Sequence, residues 1–70
     1  MQRRMYIDDQ LEKAHRAGIA HRAYDWSTRI DGEYKVVQVI AYLRGYHEGN
    51  YKKVIESLRR WREWKSGVKS

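Results

Sequence analysis

The sequence predicts an all-α fold: a small bundle of three helices, four if Gly18 breaks the first, closed by a C-terminal antiparallel helical hairpin. Three observations carry that prediction. Apolar residues recur at i, i+3, i+4 and i+7 through two stretches, Tyr34–Tyr46 and Tyr51–Lys65, a spacing that lines one face of a helix. Proline is absent, so nothing removes a backbone donor inside either stretch. Polar, glycine-containing breaks at Ser27–Glu33 and His47–Asn50 bound them, with the composition of connections.

Taken in order, Met1–Met5 reads as a loose basic end. Asp8 or Asp9 offers an N-cap, and Glu12 adds negative charge to the first turn. Ile7, Leu11, Ala14 and Gly18 line one side of the first helix. Beyond Gly18 the apolar stripe moves to Ile19, Ala23 and Trp26. Either the helix bends and rotates its buried face, or it ends at Ala17 with Gly18 in the left-handed conformation. The near-repeat AHRA at 14–17 and 20–23 supplies small residues that allow close helix packing. At Ser27–Glu33, Asp31 can cap the central helix, or Asp31-Gly32 can turn a hairpin between Thr28–Ile30 and Glu33–Val37. The helix is the expectation, because strict alternation fails at Val36-Val37 and again at Val39-Ile40-Ala41.

The central helix puts Val36, Val39, Ile40 and Leu43 on one face, with Val37, Ala41 and tyrosines over much of the rest. An element apolar nearly all round needs neighbours on several sides. Gly49 can take positive φ and Asn50 can cap the last helix. There Tyr51, Val54, Ile55, Leu58 and Trp61 share a stripe, Lys52–Glu56, Glu56–Arg60 and Arg59–Glu63 are i, i+4 pairs, and Gly67 ends the helix. The expected core is Val36, Val39, Ile40, Leu43, Val54, Ile55, Leu58 and Trp61, joined by Ile7, Leu11 and Ile19. Residues 1–70 read as one domain with frayed ends at 1–5 and 67–70. Residues 46–56, YHEGNYKKVIE, resemble the turn and second-helix start of a tetratricopeptide repeat, Y-x-x-G-(N/D)-Y-x-x-A-I-E. Val54 departs from the family's alanine and Tyr42 from its small residue, and there is no second repeat where about three make a stack. The resemblance implies an antiparallel helix pair.

A chain of 70 residues buries roughly 60% of the surface its unfolded form exposes, so a partner or a second copy would add needed contacts. Cysteine is absent, which excludes disulfides and thiolate metal sites. Met1–Met5 is followed by acids rather than an apolar run, and no segment approaches the ~18 apolar residues of a membrane span. The expected location is cytoplasmic. The net charge of +6 is uneven: residues 51–70 carry seven bases against two acids, residues 1–50 eight against seven. Such a balance favours anionic partners.

The sharpest functional feature is the end of the last helix. Trp61 continues the buried stripe, but Trp64 falls beside it among Lys53, Ser57 and Arg60, while Arg62 and Lys65 take the angles that Ile55 and Val54 hold earlier. The helix runs out past the core. The candidate partner-binding residues are Lys53, Arg59, Arg60, Arg62, Trp64 and Lys65. Trp, Tyr and Arg are the residues most enriched at binding hot spots, so the first expectation is a non-enzymatic protein-binding module or inhibitor docking on a larger protein. The second is a basic DNA- or RNA-binding protein making mainly phosphate contacts. The ordinary alternative is that Trp64 folds back onto the first helix and the charges are solvated. A homodimer burying one apolar side of each copy is a further option. Glu56 and Glu63 argue against a membrane-surface helix. His15 and His21 are six apart and point to different sides of a helix, so no metal is expected. No cofactor is expected, and no nucleophile elbow or glycine-rich phosphate loop suggests an enzyme.

Overall fold

The computed structural model describes residues 8–67; the expectations for Met1–Met5, Ile7 and Val68–Ser70 lie outside them. Four helices follow one another, α1 (Asp9–Ala20), α2 (Trp26–Arg29), α3 (Val36–Tyr46) and α4 (Tyr51–Lys65), and there is no strand among the described residues.

α1 begins where a carboxylate can take the orphan amides: Asp8 caps it, accepting a hydrogen bond from the Gln10 amide at 2.8 Å. It does not end at Ala17. It continues through Gly18 to Ala20, so the fourth helix of the bundle arises elsewhere. Gly18 is buried on α3, where a β-carbon would lie 1.9 Å from the Tyr42 carbonyl oxygen. Gly45 of α3 returns the contact: its β-carbon would meet the His15 carbonyl oxygen at 2.2 Å. Glycine is needed here for the close approach of two backbones rather than for a left-handed turn.

α1 and α3 run in the same direction. Gln38 Nε2 donates to Gln10 Oε1 at 3.4 Å near their beginnings, and Arg22 Nε donates to the Gly45 carbonyl at 2.8 Å near their ends. Parallel helices need a return path, which the segment 21–35 supplies. Trp26, expected to extend the α1 pattern, instead opens α2 behind the N-cap Asp25. Trp26 and Ile30 are both buried. Asp31 does not cap α3; it accepts from the Glu33 amide at 2.9 Å, an Asx turn. Gln38 closes the α3 start by accepting from the Lys35 amide at 2.8 Å.

Tyr42, Leu43 and Val39 of α3 are the largest fully buried side chains, with Ala41 and Ala14 beside them. The Tyr42 hydroxyl and His21 Nδ1 lie 2.8 Å apart, a hydrogen bond whose direction follows the imidazole tautomer. Burial, reinforced by Tyr34 and Tyr46, pushes the Tyr42 phenol up to about 12. A four-residue turn leads to α4, with Glu48 and Gly49 at positive φ and Asn50 accepting from the Lys53 amide at 3.2 Å. The far end of α4 comes back to the segment before α3, where Lys65 Nζ donates to the Gly32 carbonyl at 2.6 Å. The hairpin is therefore antiparallel, as expected.

The core differs from expectation in an instructive way. Val39, Leu43, Val54 and Trp61 are buried, and Leu11, Ile40 and Leu58 are partly so. Val36, Ile55 and Ile19 are exposed. α4 leaves Val36 of α3 uncovered and its own Ile55 exposed, and Ile19 follows the buried Gly18 on the outside of α1. Trp26, Ile30, Ala41 and Tyr42 take their place in the core.

Candidate functional site

Helical register in α4 decides which candidate residues can meet. Lys53, Ser57, Arg60 and Trp64 stand at i, i+4, i+7 and i+11, one continuous stripe. Ser57 is the buried member and hydrogen-bonds His47 Nε2 at 2.8 Å, tying the end of α3 to α4. Arg62 follows Ile55 by two turns and Arg59 follows it by one, so both lie off that stripe. Lys65 lies beyond Trp61, its ammonium 6.0 Å from the indole centroid and bonded to Gly32. All six candidates are exposed. The structure brings Arg60 and Trp64 to one cleft, sets Lys53 further along the same stripe, and leaves Arg59, Arg62 and Lys65 on other sides of the helix.

That cleft, of about 330 Å³, is lined by Trp26, Ser27, Arg60, Trp61 and Trp64. Trp26 and Trp61 are buried and form its apolar base. Trp64 retains 56% of its exposure, so it does not fold back onto α1. The α2 side is organised by Asp25, whose carboxylate accepts from the Ser27 amide at 3.0 Å and the Ser27 hydroxyl at 2.9 Å. Those two hydrogen bonds hold the Asp25 carboxyl below the usual carboxylate range, with Arg60 adding to the effect. The Trp61 indole N–H is buried and makes no hydrogen bond among the described residues. The cleft thus combines three indoles and a cation, with the Asp25 carboxylate fixed behind Ser27.

Sequence reasoning found Trp64 and Arg60 but missed Trp26, Ser27 and Asp25. Those three come from the return segment, more than thirty residues earlier in the chain, and only the Asp25-x-x-Thr28 pattern of a helix start hinted at their organisation. The three histidines each pack: His15 against Gly45, His21 on Tyr42 and His47 on Ser57. Burial lowers the pKa of His15 and of His47, with Arg44 and Arg22 acting on the first and Lys53 on the second. No group of three or more metal-ligating side chains is assembled among the described residues. No helix there is long and apolar enough to cross a membrane.

The fold and cleft define a small all-α domain with an aromatic, basic edge. Comparison with protein-family models, curated proteins and solved structures finds no significant match to this chain.

Proposed function

We propose that this protein is a small non-enzymatic protein-binding module or inhibitor that docks on a larger protein through the edge of α4 and α2. One observation carries the reading: Trp64 stands half exposed beside Arg60, over a cleft whose base is made by Trp26 and Trp61. An indole held against buried aromatics loses little rotamer freedom on docking, and an adjacent arginine can pair with a carboxylate or carbonyl of the partner. Dispersal of Arg59, Arg62 and Lys65 to other sides of α4 weighs against a continuous row of phosphate contacts. A nucleic-acid reading still draws support from Lys53, Arg60 and Trp64 on one stripe, cations interleaved with a stacking surface.

The two readings separate by salt and by substitution. Tryptophan fluorescence is titrated with mixed-sequence duplex and single-stranded DNA at ~50 and ~200 mM salt, and immobilised protein is used to capture partners from a lysate in parallel. The expected result is no saturable DNA response, with a discrete captured protein that Trp64→Ala and Arg60→Ala both lose. Saturable quenching by DNA that collapses at the higher salt and disappears in Trp64→Ala would replace protein docking with nucleic-acid binding.

A further inference from the structure

Two of the seven large exposed apolar side chains among the described residues, Tyr51 and Ile55, belong to one stripe of α4. Between α3 and α4 there runs a groove of about 350 Å³, lined in part by Ile40, Tyr51, Ile55 and Leu58. Its exposure is substantial: Tyr51 keeps 74% of its surface and Ile55 38%. The groove is separate from the tryptophan cleft, sharing none of its lining residues.

The charged side chain that lines this groove is a cation. On α3 the stripe Val36, Ile40, Arg44 ends in a cation, and Arg44 lines the groove at the turn end. On α4 the stripe Tyr51, Ile55, Leu58 continues into Arg62, with Arg59 one turn beyond Ile55. The acids of α4 are turned elsewhere: Glu56 acts on His47, across the helix from the groove, and Glu63 lies two turns on from Glu56 along that same outer line. The groove is thus apolar in the middle, with Arg44 at its turn end and Arg62 where the α4 stripe leaves it. From Tyr51 to Arg62 the stripe spans about 16 Å, roughly three helical turns.

We infer that the α3–α4 groove docks an acidic amphipathic helix of a partner protein, its apolar face on Ile40, Tyr51, Ile55 and Leu58 and its carboxylates on Arg59 and Arg62. A helix of three to four turns with apolar anchors at i, i+3, i+4 and i+7 fits a groove of this length. A second copy of this chain suits it poorly. The stripes a second copy would present carry Arg44 and Arg62 but no acid, and each chain bears a charge of +6, so like charges would face one another. This inference stands on residues outside the tryptophan cleft and does not rest on the function proposed for it.

The probe is a fluorescein-labelled synthetic helix with leucines at i, i+3, i+4 and i+7 and glutamates elsewhere, compared with the same peptide carrying lysine for glutamate. Fluorescence anisotropy should give saturable binding of the acidic peptide, weaker by about tenfold or more for the basic one. Val37→Ser, exposed but outside the groove lining, is the control and should leave the affinity unchanged, whereas Ile55→Ser and Tyr51→Ser should each weaken the acidic peptide by about fivefold or more. Both replaced side chains are exposed, so circular dichroism should show these variants folded; Tyr51→Ser decides the matter if Ile55→Ser does not fold. Trp64→Ala should leave the affinity unchanged, which keeps this test independent of the tryptophan cleft. Equal binding of both peptides, or acidic-peptide binding untouched by Tyr51→Ser, would overturn the inference. Sedimentation revealing a dimer that Tyr51→Ser dissociates would also overturn it, by giving the groove to a second copy.

Discussion

α3 meets its two long neighbours in opposite ways. Toward α1 it offers Gly45 and the Tyr42 carbonyl, and the backbones approach so closely that neither Gly18 nor Gly45 has room for a β-carbon. Toward α4 it offers branched and aromatic side chains, and the contact leaves an open apolar groove along one flank. The first contact is made of backbone and tolerates nothing larger; the second is made of side chains and has room to spare. Close packing concentrates stability where atoms cannot rearrange, while a loosely covered apolar face remains available to something else.

The strongest way to break this comparison is Gly18→Ala. Alanine gains about 1 kcal/mol of helix propensity, but its methyl would sit 1.9 Å from a backbone oxygen, and overpacking of that kind costs about 3 kcal/mol or more. Urea denaturation should show a net loss of about 2 kcal/mol or more. Gly32→Ala is the control, since nothing lies within 4 Å of its position, and it should stay within about 0.5 kcal/mol of the parent. Equal tolerance of the two substitutions would mean that α1 and α3 are not in backbone contact.

A smaller effect is expected from the Tyr42 hydroxyl, which meets His21 at the C-terminal end of α1. Its pKa is raised in the fold to about 12, above the ordinary value near 10 for an unfolded tyrosine. The native state therefore favours the protonated phenol. This contribution is fully present below the unfolded pKa and is lost as pH rises from about 10 to 12. Tyr42→Phe should remove that alkaline loss and cost about 1 kcal/mol at neutral pH by leaving His21 without its partner, as read by denaturant midpoints across the pH range.

The smallest effect concerns His15 and His47, one on each side of α3. Both pKa values are lowered by burial and neighbouring cations, so the fold favours the neutral rings. The unfolded chain binds protons more readily near its ordinary value of about 6.5, so stability is full above that pH and falls as pH drops through it toward the lowered native values. Thermal midpoints should decline between about pH 7 and pH 5. His47→Gln should reduce the decline, and an unchanged profile would show that His47 does not contribute.

Much of this architecture is readable from periodicity. The α4 stripe, the Asn50 cap, the positive-φ Gly49 and the antiparallel hairpin follow directly from residue order. Periodicity finds an apolar face but does not say what covers it, and so Val36 and Ile55 are expected in a core from which they are absent. Tyr42 escapes notice for the converse reason. An aromatic with a polar tip reads as a boundary residue, yet here its hydroxyl has His21 to satisfy it and the ring is fully buried. At the candidate site the exposure of Trp64 is legible, because a helix that outruns its core must uncover its last turns. The cleft around it is not, since Trp26 and Asp25 reach it only through the return path that two parallel helices require.

That return path also bears on how the chain assembles in time. The ties between α1 and α3 join residues 23 and 28 positions apart, whereas the His47–Ser57 tie spans 10. Closing a short loop is both faster and entropically easier. The α3–α4 hairpin therefore has the advantage in forming first, and α1 docks onto a surface already in place. On this order the glycine contact completes the fold: α1 is the latch of the molecule, closing its tightest contact over a hairpin whose outer groove stays open.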